Sequence, residues 1–392
     1  MPRWLLLLIL ALPAAIAAST LRWSPILTFT LAALALIPLA GAIGEATAAL
    51  AARLGPGIGG LLNATFGNAA ELIIGLIALS HGLLDVVRAS IAGSVIGNSL
   101  LVLGTSMLVG GWRYRLQRFD ARAAGQYASL LALAVVGLAI PTVVSWLGGG
   151  FLAGADVPTR TAFLQLSNVI AVVLLASYAA YIAHAVFGLR AAPEQRLDQA
   201  DEHTMFAERA EAEKTVIGAT RAGQPAGRTG GLETWLEPEH APFVALVWLV
   251  GATVLTAVAS DVLVGAIEPV AQEVGLSPFF IGLIVLPIVA NAAEHFSAVN
   301  MALHDSMNTT MAITAGSAIQ VALFLAPVFV LAGNFVGHPL ALAFIPLELA
   351  IFALVALLFP LISLDGESTW LEGLQLVLFY VIVAASAFVI PH

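Results

Sequence analysis

Long apolar runs limit this chain more than any other feature. A helix needs about 20 mostly apolar residues to cross a bilayer. The 392-residue sequence offers eleven such stretches: 4–18, 25–43, 58–81, 88–111, 125–147, 161–188, 242–261, 278–303, 308–333, 339–363 and 370–390. A soluble chain carries about 25% charged residues, whereas here Asp, Glu, Lys and Arg make up 10% and apolar residues 60%. A water-facing globule is excluded, and an all-α polytopic membrane protein of about 11 spans is expected. With no cysteine there is no disulfide framework, thiolate metal site or Cys nucleophile. A net charge of −9 argues against nucleic acid as a partner.

The first segment has Arg3 ahead of Leu5–Leu10 and small residues at Ala14–Ala18, so it also looks like a signal peptide. It reads better as a retained helix, since ten further spans follow and none needs a periplasmic start. One long polar stretch, 189–240, holds ten acidic residues and the glycines Gly223, Gly227, Gly230 and Gly231. It reads as an acidic linker between two halves. With eleven spans, one side receives Arg3, Arg53, the cluster Arg113, Arg115, Arg118 and Arg122, and six basic residues of that linker. The other side receives Arg22, Arg88 and Arg160. The positive-inside rule puts the first side, with the N-terminus and the linker, in the cytosol; His392 is then outside.

The halves resemble each other. Residues 67–71 read GNAAE and 290–294 read ANAAE. Twenty-two residues after Glu71 comes Gly93-Ser94-Val95-Ile96, and twenty-two after Glu294 comes Gly316-Ser317-Ala318-Ile319. The same offset pairs His81 with His304 and, more loosely, Glu45 with Glu268. Five spans per copy is an odd number, so the copies run in opposite directions. Inverted repeats with sites near the midplane are the architecture of secondary transporters.

Glu71 is the fourteenth residue of its 24-residue stretch, roughly 20 Å along a helix and near mid-bilayer; Glu294 is similarly deep. A charge there costs at least ~2.5–3.5 kcal/mol. Two ionised carboxylates would repel each other. Either both take protons, or a divalent cation lies between them, and each state is locally neutral. That mutual exclusion is a physical basis for exchanging a metal ion against protons.

The surrounding residues suit a hard cation. Asn68 and Asn291 precede their Glu by three residues and share its helix face. Gly67, with Gly55, Gly57, Gly59 and Gly60 upstream, permits a broken helix whose freed carbonyls could face an ion. Ser94, Asn98, Ser317 and Gln320 add oxygen donors on the next helices. Oxygen ligands without thiolate favour calcium, with manganese next. For each Asn and Ser alone, interhelical hydrogen bonding is an equal reading.

The eighth stretch carries a polar stripe, Asn291, Glu294, Ser297, Asn300 and His304, where the third continues with Ile74 and Ile77. The stripe points to the cytosolic end as an inner access route. His295, beside Glu294, is placed to relay protons or brace the carboxylate. Glu45 and Glu268 are expected in the two vestibules, His81 and His304 at the interfaces, and Asp261 and Glu273 in outer loops. Glu348 is intramembrane, either a second proton site or a structural hydrogen-bond partner.

At these residues the chain resembles the cation/proton exchanger family, the calcium/proton antiporters of the calcium/cation antiporter superfamily. The motifs are LGPGIGGLLNATFGNAAE from Leu54, GSVIGNSLLVLGTSMLVGG from Gly93, IGLIVLPIVANAAEHFSAVN from Ile281, GSAIQVALFL from Gly316 and DGESTWLEG from Asp365. Ala290 stands where that family more often has Gly. The resemblance implies an N-terminal helix with its linker (1–24), a five-helix repeat (25–188), an acidic cytosolic loop (189–240) and a second, inverted five-helix repeat (241–392). It implies a secondary transporter, not an enzyme, exporting Ca2+ in exchange for H+ without an organic cofactor. Glu71 and Glu294 would be the metal-binding acids, with carbonyls near Gly67 and Ala290 completing the shell.

The short N-terminus, unlike that of the plant vacuolar members, points to a prokaryotic cytoplasmic membrane. The expected partners are Ca2+, H+ and the lipid bilayer, and a homo-oligomer is left open. The alternatives are a Na+/Ca2+ or Mn2+/H+ exchanger and an intramembrane hydrolase. The last lacks HExxH, G-x-S-x-G and Cys in this sequence.

Overall fold

A computed structural model describes residues 7–146, 160–187 and 242–389. The acidic stretch 189–240, with the domain boundaries drawn in it, lies outside the described residues, as do Arg3 and His392. The chain is an all-helical polytopic membrane protein. Among the described residues seven helices are long and apolar enough to cross a bilayer, and a bent pair makes an eighth.

The helices of the first half, shorter ones included, are α1 (Ala11–Thr20), α2 (Pro25–Phe66), α3 (Ala69–Ser80), α4 (Leu84–Tyr114), α5 (Ala121–Trp146) and α6 (Arg160–Phe187). In the second they are α7 (Pro242–Gly265), α8 (Ile267–Val274), α9 (Pro278–Ala290), α10 (Ala292–Leu303), α11 (Met307–Val336), α12 (Pro346–Ile362) and α13 (Trp370–Val389). All eleven apolar stretches carry helix, but not all as whole spans. The stretch 58–81 is interrupted between α2 and α3. The stretch 339–363 starts without regular structure and becomes helical only at Pro346, where proline fits the first turn of a helix.

The repeat seen in sequence is present in the backbone. Shifted by 223 residues, the difference between 294 and 71, α3 falls on α10 end for end. Both follow an asparagine outside helical geometry, Asn68 at φ −109° and ψ 35° and Asn291 at φ −95° and ψ 15°. Both end in a turn with positive φ, at Gly82 (77°) and Asp305 (57°). Helix α4 contains a π-helical turn at Gly97–Val102, and its counterpart α11 has one at Val321–Leu325. Such turns insert an extra residue into the helix and recur at functional sites.

The span Pro25–Leu54 ends before α2 does. A side-chain carbon on Gly59 would lie 2.4 Å from the carbonyl oxygen of Ala51, two turns upstream. That proximity requires the chain to turn back between them, so 59–66 return toward α3.

The all-α expectation holds, with one short antiparallel ribbon added, β1 (Leu116–Arg118) with β2 (Glu367–Thr369); three-residue strands are too short to give a period. One sequence expectation needs correcting. Asp261 and Glu273 are exposed as expected but helical, in α7 and α8 rather than loops, because the apolar pattern continues past them.

The ribbon marks one end of the molecule. Gln117 Nε2 donates to the Ala302 carbonyl (2.9 Å) and to Asp305 Oδ1 (3.0 Å), and Tyr114 Oη donates to the Leu303 carbonyl (2.8 Å). The arginines 113, 115, 118 and 122 gather at this basic end. At the opposite end His81 Nε2 lies 3.0 Å from Asp261 Oδ1, and Ser24 Oγ donates to Glu273 at 3.4 Å.

Packing between the halves is close where α4 crosses α9. A side-chain carbon at Gly93 would lie 2.1 Å from the Leu283 carbonyl oxygen and 2.6 Å from Pro287 Cγ. Its counterpart Gly316 has no neighbour within 4 Å. Gly93→Ala is therefore expected to destabilise by about 1–3 kcal/mol through overpacking. Gly316→Ala should be neutral or stabilise by up to about 1 kcal/mol. Thermal unfolding in detergent separates the two, and equal losses at both positions contradict this packing.

Candidate cation site

Both acids occupy the first turn of a half-helix, Glu71 in α3 and Glu294 in α10. Helix α9 meets α10 at a bend of 57°, and α2 gives way to α3 at Gly67-Asn68. At each break one helix ends in carbonyls and the next begins in N–H groups. A helix start carries partial positive charge and favours an anion; a helix end carries partial negative charge and favours a cation. Glu71 and Glu294 feel each other's charge across the two halves.

Glu71 is 6% exposed, Asn291 1% and Asn98 0%, whereas Glu294 is half-buried. Ser94 and Asn291 face the Glu71 carboxylate, but both its oxygens lack hydrogen-bond geometry with any partner. Glu294 Oε2, Asn98 Oδ1 and both amide atoms of Asn291 are likewise sealed from solvent and unpartnered. Five oxygens, from Glu71 (two), Glu294, Asn98 and Asn291, are thus desolvated without compensation. An unmade hydrogen bond at a buried polar group costs ~1–3 kcal/mol, so a cluster of them calls for a ligand.

The other predicted donors have structural partners. Ser317 Oγ donates to Asn68 Oδ1 (3.1 Å) and accepts from Asn98 Nδ2 (2.8 Å), while Asn68 Nδ2 reaches the Ser317 carbonyl (3.3 Å). This triad joins α4, the first break and α11. It leaves Asn98 Oδ1 turned away from the bonds it anchors. Gln320 lies over Gly67, where a side-chain carbon would meet Gln320 Oε1 at 3.2 Å. Ala290, 6% exposed, is the last residue of α9.

His295 does not brace Glu294. Its Nδ1 lies 2.6 Å from the Asn291 carbonyl and its Nε2 is sealed and unpartnered. A contact to a carbonyl needs the proton on Nδ1, so the ring secures the second helix break. Glu45 and Glu268 are exposed, and among the described residues neither forms a three-acid group with the pair. Glu348 Oε2 accepts from the Ile345 N–H at 2.8 Å, which makes it a cap at the start of α12. Its neighbours Arg88 and Asp85 pair with each other.

Exposure differs along the two acid-bearing helices. On α10, Glu294 and Asn300 are half-buried, and Ser297 and His304 are exposed. On α3, Glu71 is followed by buried Ile74 and Gly75. Among the described residues no three His, Asp or Glu side chains converge; a cation here would take two carboxylates and neutral oxygens. Sequence reasoning missed Ser99, buried in the first π turn with Oγ unpartnered. A serine in an apolar run was its one signal.

Ser317 accounts for the coupling in the triad. Ser317→Ala leaves Asn98 and Asn68 short of partners and is expected to lower stability by about 1–3 kcal/mol. In a double-mutant cycle with Asn98→Ala the two losses should be non-additive by at least about 0.5 kcal/mol. Strict additivity in thermal unfolding contradicts the hydrogen-bonded link.

Comparison with known proteins gives concordant matches. The family model for the sodium/calcium exchanger protein matches residues 24–187 and 244–389. The chain is 37% identical over 389 residues to a Ca(2+)/H(+) antiporter of Aphanothece halophytica, covering 98% of this chain and 96% of the relative. It is 36% identical over 379 residues to the Ca(2+)/H(+) antiporter ChaA of Bacillus subtilis, covering 96% of each. Among solved structures, native YfkE superposes with a TM-score of 0.75 at 33% identity, covering 99% of this chain and 100% of that one. The H+/Ca2+ exchanger CAX has a TM-score of 0.62 at 14% identity, covering 98% and 91%, a likeness of fold alone.

Proposed function

This chain belongs to the sodium/calcium exchanger protein family, and we propose that it is a Ca2+/H+ antiporter whose exchange site is the pair Glu71 and Glu294. It is a transporter, not an enzyme. The observation that carries the site is the set of five sealed oxygens without a hydrogen-bond partner among the described residues, four at the two mirrored helix breaks and one, Asn98 Oδ1, in the π turn of α4. Calcium takes 6–8 oxygens. The carboxylate and amide oxygens supply most of that shell, and carbonyls at the ends of α2 and α9, near Gly67 and Ala290, are placed to add to it. Asn68, held by Ser317, fixes the first break, and His295 the second.

Exchange follows from charge balance. Two carboxylates with one Ca2+ are neutral, and so are two carboxylic acids. Two bare carboxylates in a low-dielectric interior are the costly state. Calcium therefore enters as protons leave, and protons replace it on the other side. Both loaded forms cross the alternating-access step neutral at the site.

The basic end is the cytosolic side. The exposed and half-buried stripe of Ser297 and Asn300 leads from Glu294 to that end, which supports it as the inner access route. On this orientation calcium moves out of a prokaryotic cell across its cytoplasmic membrane, with protons entering.

The test is calcium uptake into inverted vesicles after an imposed pH step. Wild type should take up calcium with the proton gradient and show no response to a sodium gradient. Glu71→Gln or Glu294→Gln, which keep volume but cannot lose a proton, should reduce uptake to background at unchanged expression. Undiminished calcium-dependent proton flux in either variant contradicts the site. Sodium-driven uptake in wild type contradicts the proton coupling.

A further inference from the structure

We propose that the ring of Phe329, seated in a notch made by Gly75, is the plug that closes the outer side of the exchange site; this rests on the antiport reading and its orientation. Gly75 lies four residues after Glu71 on α3, so the two share a helix face, and it lies toward the outer end. Phe329 is on α11, nine residues beyond Gln320, and is 3% exposed. A side-chain carbon added to Gly75 would lie 2.2, 2.7 and 2.9 Å from Phe329 Cζ, Cε1 and Cε2. The ring therefore occupies the space that any other residue at position 75 would fill. Gly75 is one turn beyond Glu71 toward the outer end of α3, so the ring packs against that helix on the outer side of the acid's position.

The inverted half shows the same position without an aromatic ring, although its residues are buried too. The 223-residue offset pairs Gly75 with Ala298 and Phe329 with Ser106. The helix pair α4 and α10 meets through small residues there. One turn on, a side-chain carbon at Gly110 would lie 2.0 Å from Gln117 Oε1 and 3.1 Å from Ala302 Cβ, so a polar side chain rather than an aromatic ring fills the space there. Ser106 turns its hydroxyl back onto the Val102 carbonyl at 2.7 Å.

One repeat thus places an aromatic ring in a glycine notch on the outer side of its acid, and the other places serine near alanine on the inner side. The exposure along the two helices follows the same order. The carboxylate behind the ring is buried, and the one on the serine side is half-buried with a polar stripe leading away. An apolar constriction of this kind closes a path by excluding water. A packed ring in a notch has a seated and an unseated arrangement rather than a continuum. Outward opening is then the withdrawal of the Phe329 ring from Gly75.

The chain has no cysteine, so a single Ser94→Cys reporter beside Glu71 reads access directly. Intact right-side-out and inverted vesicles are treated with a membrane-impermeant maleimide. With Phe329 present, the reporter should react from the inner side and slowly from the outer side. Phe329→Ala should raise the outer rate at least about tenfold, the population change that roughly 1.4 kcal/mol brings, with the inner rate unchanged. Gly75→Ala, which unseats the ring without removing it, should raise it in the same direction. Ser106→Ala should change neither side.

Phe329→Leu serves if the alanine variant does not fold, with a smaller rise expected. An outer rate that stays flat in the ring and notch variants overturns the plug, as does an equal rise on both sides. Labelling needs no calcium movement. Wild type that fails to exchange calcium for protons defeats the antiport reading, while the sidedness of labelling still decides the ring.

Discussion

A carboxylate in the middle of a membrane is tolerable only if something neutralises it, and this fold holds two of them within reach of each other's charge. The rest of the architecture follows from that requirement. Each acid lies in the first turn of a helix that starts inside the protein, where N–H groups favour negative charge. Each is preceded by the carbonyl end of another helix, which favours a cation. A continuous helix would present neither end at this depth. The breaks at Gly67-Asn68 and Asn291 therefore make the site, and the Asn68–Ser317–Asn98 triad and the His295 contact hold them.

The inverted repeat gives two similar frames, and function resides in how they differ. Asn68 spends its amide on Ser317, whereas the amide of Asn291 is open. Gly93 is locked against α9, while Gly316 has room. Glu71 is buried and followed by buried Ile74 and Gly75, while Glu294 is half-buried at the head of a polar stripe. A perfectly symmetric pair of halves would have no reason to face one side of the membrane. These departures give the described conformation its direction.

Much of this was legible in the residues. Apolar run lengths located the helices, although among the described residues only seven, or eight with the bent pair, are long enough to span; NAAE followed by GSxI at one offset gave the repeat, the two acids and their neighbours Asn68, Asn291, Ser94 and Ser317. What was not legible depends on backbone geometry rather than residue type. The π turns at Gly97–Val102 and Val321–Leu325 alter no periodicity that a sequence displays. The β1–β2 ribbon is too short to leave a pattern. Glu348 reads as an intramembrane acid, and only the start of α12 at Pro346 makes it a cap. Glu45 and Glu268 were paired by an offset that needed a gap, and both are exposed. His295 is adjacent to Glu294 in sequence, yet consecutive helical residues point apart, so its ring found the Asn291 carbonyl instead.

Mutual exclusion of calcium and protons is the claim on which the account stands, and calorimetry reads it without any vesicle. Calcium is titrated into purified protein in two buffers of different ionisation enthalpy, at a pH where the unliganded site holds protons. The account predicts that each bound calcium releases protons, seen as a binding heat that changes with the buffer. Calcium binding with the same heat in both buffers would mean that metal and proton occupy the protein independently, and would contradict it.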